Sequence, residues 1–98
     1  MEIYSNQTAN KLEVRLVGRL DTTTAPQLEA RLKQSLSGIS ELFFDFDGLE
    51  YISSAGLRVL LSAQKVMNKQ GSMTLKNVCD DIREVFEITG FSDILTIE

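Results

Sequence analysis

The sequence has no histidine and only one cysteine and one proline among its 98 residues, and it contains no long apolar run. Each absence removes a class of function. Without imidazole there is neither a histidine-based metal centre nor a histidine to activate a nucleophilic serine. The lone Cys79 has no internal partner for a disulfide, which fits a reducing compartment. No segment approaches the ~20 apolar residues that a bilayer-spanning helix needs, and residues 1 to 18 lack the basic start and apolar stretch of a signal peptide. The expected location is the cytoplasm, without membrane insertion. Positive charge is scarce too: 10 Lys and Arg stand against 14 Asp and Glu, a net charge of -4. That sign repels phosphate backbones, and the basic residues are dispersed from Lys11 to Arg83, so nucleic acid is not an expected partner.

What is present is enough for one core. With 43% of residues apolar, the chain can build a modest hydrophobic interior and no second one, so a single domain over residues 1–98 is expected. Residues 11 to 17, KLEVRLV, place Leu12, Val14 and Leu16 at period two, the mark of a strand with one buried face. Residues 2 to 7 are predicted to pair with it as a hairpin across Thr8, Ala9 and Asn10. GRLDTTT at 18 to 24 is rich in turn and capping residues, and Pro26 stands where a helix start tolerates a missing N–H. The following helix carries Leu28, Leu32 and Leu36 at four-residue spacing and stops near Gly38.

ELFFDF at 41 to 46 reads as a strand with Leu42, Phe44 and Phe46 on one side and Phe43 and Asp45 on the other. Apolar residues on both faces suggest a central position. A helix is expected from Ser53 or Ser54 to Gln70, ended by Gly71, with Gly56, Val59, Leu60, Ala63, Val66 and Met67 on its core arc. Ser54, Leu57, Arg58 and Leu61 fall on a neighbouring flank, which is either a docking patch or a surface covered by another helix. A strand over 73 to 78, a helix over 80 to 89 closed by Gly90, and a last strand over 94 to 97 complete the pattern; Ile82, Val85, Phe86 and Ile88 are the apolar residues of that helix. The order β-β-α-β-α-β-α-β predicts an α/β fold: a single mixed, mostly parallel sheet with helices and an antiparallel start.

The segment LEYISSAGLR at 49 to 58 asks for a reason. A serine before a helix is first an N-cap, typically adding ~1 kcal/mol. A cap needs one serine, however, and Gly56 inside the first turn costs roughly 1 kcal/mol relative to alanine. Either the helix start packs tightly on the sheet or its backbone is kept bare for a partner. A helix N-terminus also favours negative charge, so a phosphate on Ser54 would be well placed.

These residues resemble the STAS domain of the bacterial anti-sigma factor antagonist family over nearly the whole chain. VGRLDTTTA at 17 to 25, FDFDGLEYISSAGLRVLL at 44 to 61 and LKNVCDDIREVFEITGF at 75 to 91 carry the resemblance in order and spacing. The resemblance implies a STAS-like fold and phosphorylation at the serine two residues before the glycine, here Ser54. It further implies partner switching. The unphosphorylated form binds an anti-sigma factor that is itself a serine kinase and so frees a sigma factor to regulate transcription; a metal-dependent PP2C-type phosphatase restores that form. Asp21, Ser53, Gly56, Leu57 and Arg58 become the expected partner-binding residues around Ser54. Ser53, Ala55 and Arg58 stand where the best-known switch proteins carry an aspartate, a serine or threonine, and often a glycine.

No cofactor and no catalytic role are expected. Asp45, Asp47, Asp80 and Asp81 are explained as strand-end and helix-start carboxylates, and Asp21 as a turn or capping carboxylate. The alternative to the switch is a STAS module that only scaffolds a stress-sensing assembly or a lipid-transport complex.

Overall fold

The computed structural model describes residues 1–98. β1 (Glu2–Thr8) and β2 (Lys11–Leu20) form the expected hairpin, with Thr8 opposite Lys11. The chain continues through α1 (Ala25–Ser35), β3 (Glu41–Ile52), α2 (Ser54–Gln70), β4 (Ser72–Lys76), α3 (Asp80–Thr89), a 3-10 turn (Phe91–Asp93) and β5 (Thr96–Ile97). The five strands lie in the order β1-β2-β3-β4-β5, and only the β1–β2 pair is antiparallel.

The strand order never reverses. Crossovers of one hand then carry every helix to the same face, so the sheet has one covered side and one open side. Burial follows that division. Leu12, Val14, Leu16 and Leu20 of β2, Leu42, Phe44 and Phe46 of β3, and Met73 and Leu75 of β4 all enter one cluster of 25 buried apolar residues. Phe44, Phe46 and Phe86 are fully buried, and each such side chain stabilises the fold by ~1.5–3 kcal/mol relative to exposure.

β3 is central, as its composition suggests, but no helix covers the side that carries Phe43 and Asp45. Phe43 is half-buried by the Lys11 and Lys76 ammonium groups, 4.8 and 4.6 Å from its ring centroid. The ring face attracts both cations, and together they shield it from solvent in place of a helix.

β3 also runs six residues beyond the predicted end at Phe46. Two register shifts against β2 change the inward spacing, so Leu49 and Ile52 face the core after Phe46. These bulges break period two, which is why DGLEYI does not read as strand. Gly48 permits the close approach, since a Cβ there would lie 2.9 Å from Val17 Cγ2.

Smaller differences have similar causes. β4 stops at Lys76, and Asn77 takes a left-handed φ of 57° that turns the chain toward α3. The predicted last strand is reduced to two residues because Phe91–Asp93 winds into a 3-10 turn after Gly90, itself left-handed at φ 81°. Val66, expected in the core, is exposed, as is Ile88 of α3. α2 ends at Gln70, and the capping position after it must be Gly71 because any Cβ there would collide with the Ser40 carbonyl. No helix is long and apolar enough to cross a membrane.

Candidate functional site

The carboxyl ends of parallel strands are where such sheets present their loops to ligands and partners. Here the β2→α1 and β3→α2 connections are neighbours, because β2 and β3 pair up to Leu20 and Ile52. The Ser53 N–H donates to the Leu20 carbonyl at 2.9 Å, tying one loop to the other. The aspartate signature and the serine pair, about thirty residues apart in sequence, therefore share one surface.

Asp21 organises its side of that surface. Its Oδ1 accepts hydrogen bonds from the Thr23 and Thr24 N–H groups at 3.0 and 3.1 Å, closing the turn that starts α1. Thr24 Oγ1 donates to the Arg19 carbonyl at 2.8 Å and accepts from the Asp21 N–H at 2.8 Å. The Thr24 N–H holds the Asp21 carboxyl below the ordinary aspartate range, assisted by the Thr23 N–H, the Thr24 hydroxyl and Arg19. Asp21 is thus a turn carboxylate that shapes the surface.

On the other loop the two serines divide differently from the expectation. Ser53 occupies the N-cap position with extended backbone, and its carbonyl accepts from the Leu57 N–H at 3.0 Å. Its hydroxyl caps nothing: Ser53 Oγ is buried without a hydrogen-bond partner. Ser54 is the first helical residue and is exposed. The first turn of α2 contains no acidic residue, so nothing of negative charge answers its free N–H groups.

Gly56 and Leu57 lie beneath the surface rather than on it. A Cβ on Gly56 would sit 2.7 Å from Leu20 Cγ and 2.9 Å from Ile52 Cγ1, so the glycine answers tight packing of the helix start on the strand ends. Leu57 is 6% exposed and belongs to the core. Both therefore support the site from below and offer no free side-chain surface to a partner. Leu61 on the same flank is half-buried. Arg58 is exposed and lines a shallow recess with Thr22, Pro26 and Glu29 between the starts of α1 and α2.

Two residues escaped the sequence reading. Arg19 and Tyr51 are opposite one another in the β2–β3 register, and the Arg19 guanidinium stacks 4.0 Å from the Tyr51 ring centroid. Arg19 Nε also lies 3.8 Å from Asp21 Oδ2. Tyr51 is 40% exposed and stands three residues before Ser54. Aromatic and arginine side chains on rigid elements suit protein interfaces, and the signal for them was their position at the open ends of two adjacent strands.

The fold is a one-sided α/β sheet with an exposed serine at the start of α2. The chain belongs to the STAS domain family, which matches residues 2–98. It is 37% identical to BtrV of Bordetella bronchiseptica, provisionally described as an anti-sigma factor antagonist, over 99% of this chain and 85% of that protein. It is 32% identical to the anti-sigma-B factor antagonist of Bacillus subtilis, over 93% of this chain and 84% of that protein. The fold is shared with SpoIIAA, an anti-sigma factor antagonist solved in unphosphorylated and phosphorylated forms. Those structures are 20% identical to this chain with TM-scores of 0.79 and 0.77; both cover 99% of it, and it covers 87% and 91% of them.

Proposed function

We propose that this protein is an anti-sigma factor antagonist that works by phosphorylation-controlled partner switching, with Ser54 as the phosphoacceptor. The observation that carries the reading is the exposed Ser54 at the first helical position of α2, on a surface shared with Asp21, in a chain similar to proteins named anti-sigma factor antagonists, provisionally so for BtrV. Unphosphorylated, the surface binds the anti-sigma factor and frees the sigma factor. The anti-sigma factor is a serine kinase and acts on Ser54 within that complex. The serine oxygen forms a bond to the γ-phosphorus of ATP, the bond to the leaving ADP oxygen breaks, and the serine proton passes to a base on the kinase. A PP2C-type phosphatase reverses the step by hydrolysis, releasing inorganic phosphate. The protein is not itself an enzyme: it contributes the acceptor and the docking face, and it acts in the cytoplasm.

Phosphate adds a charge of about -1.5 to -2 at the α2 N-terminus, which the free N–H groups tolerate. The core is therefore expected to stay intact while the docking face changes sign. The test is capture of the kinase from native cells by wild type, Ser54→Ala and Ser54→Asp, with phosphopeptide mass spectrometry of the wild type. Expected are a phosphate on Ser54, and a serine kinase retained by wild type and Ser54→Ala but lost with Ser54→Asp. Equal capture by all three, with no phosphate found on Ser54, would overturn the proposal.

A further inference from the structure

The cation nearest the acceptor along its own helix has no acidic partner. The ion pairs of the structure join Arg19 to Asp21, Lys33 to Glu29 and Lys76 to Glu13. Glu29, which lines the recess with Arg58, pairs with Lys33, and Asp21 on the β2→α1 turn pairs with Arg19. Arg58 remains an exposed guanidinium without a carboxylate.

Its position relative to Ser54 is set by the helix. Both residues lie in α2 four positions apart, which brings their Cβ atoms to about 5–6 Å on one face. With the anion N-terminal and the cation C-terminal, the pair also has the favourable orientation with respect to the helix dipole. A phosphate on Ser54 offers three acceptor oxygens, and the planar guanidinium matches two of them.

We propose that Arg58 is the reader of the modification in cis: when Ser54 is phosphorylated, the Arg58 guanidinium closes on the phosphate as an i,i+4 clamp. This rests on the reading of Ser54 as the acceptor and adds how the mark is registered. Phosphorylation then makes two changes at the docking face. It introduces a dianion, and it withdraws the one unpaired cation from the recess between α1 and α2. A partner carboxylate that had used Arg58 loses its counter-charge in the same event.

The test needs neither kinase nor partner. Phosphoserine is installed at position 54 during translation, in wild type, Arg58→Lys and Arg58→Gln, and the second phosphate ionisation is followed by 31P NMR. Glu29 lines the recess with Arg58, and the paired Arg19 and Asp21 stand at the neighbouring strand end; all three are common to the three proteins. A guanidinium against the phosphate favours the dianion and lowers the ionisation. Wild type is expected about 0.3 to 0.7 pH unit below Arg58→Gln, with Arg58→Lys between them. The difference should shrink in roughly 0.5 M salt. Coincident titrations of wild type and Arg58→Gln would overturn the clamp, while leaving a switch based on the phosphate charge alone standing. Conversely, an absence of Ser54 phosphorylation in cells would remove the switch without altering this ionisation.

Discussion

The first turns of α2 and α3 differ at corresponding positions. α3 opens with Asp80 and Asp81, two carboxylates against the positive end of the helix, followed by Ile82 at 2% exposure. α2 opens with Ser54 and Ala55, carries no acid in its first turn, and has Gly56 where α3 has isoleucine. Neither helix has a side-chain cap hydrogen bond. The difference is one of completeness. α3 brings its own negative charge and fills its own contact with the core. α2 presses its backbone onto Leu20 and Ile52 and brings no negative charge of its own in its first turn. A start built like that of α3 would place carboxylates beside an added phosphate; the start of α2 receives one without like-charge repulsion within its first turn.

The comparison breaks first at the third helical position. Ile82→Ala should cost about 2–5 kcal/mol, the range for truncating a buried aliphatic side chain, measured as a fall in the denaturation midpoint at constant slope. Gly56→Ala comes next and works by the opposite mechanism, overpacking. Intrusion on Leu20 and Ile52 should cost ~1–3 kcal/mol, offset by roughly 1 kcal/mol of helix propensity, for a net loss of about 0–2 kcal/mol in the same measurement. A stabilised Gly56→Ala protein would show that packing on the strand ends is not why glycine stands there. Ser53→Ala is the smallest. Because the hydroxyl bonds to nothing, the change should stay within ~0.5 kcal/mol instead of the ~1 kcal/mol expected for a lost cap.

Much of this architecture was legible, and particular residues show why. The α3 boundaries at Asp80 and Thr89 were read directly, because acids at the start and Gly90 at the end bracket an apolar pattern. β2 was legible from strict alternation as far as Val17, but Gly18–Leu20, read as part of the turn, continue the strand across a register shift. The second half of β3 was not, since bulges near Gly48 and Glu50 replace period two with a spacing no single template contains. Leu57 and Val66 were misjudged for a related reason. A helical projection sorts residues into arcs, but neighbouring elements decide how wide the buried arc becomes. α2 packs on β3, β4 and α1 together, and that geometry draws Leu57 in and leaves Val66 out.

At the site, the serine at the start of α2 could be read in the chain, and the packing of its neighbours could not. Asp21 and Ser54 were each identifiable from local motifs, whereas the Arg19–Tyr51 stack depends on a cross-strand register that local sequence does not record.

The sequence by itself determined the alternation of strands and helices, the likeness to the STAS family and the presence of a serine at the start of α2, because periodicity, turn chemistry and motif spacing are local properties. Only the tertiary structure decided that Gly56 and Leu57 are buried, that the Ser53 hydroxyl has no partner, and that Arg58 is left without a carboxylate. Those facts depend on which surfaces meet when distant segments pack, and on which charges have already been paired by the time they do.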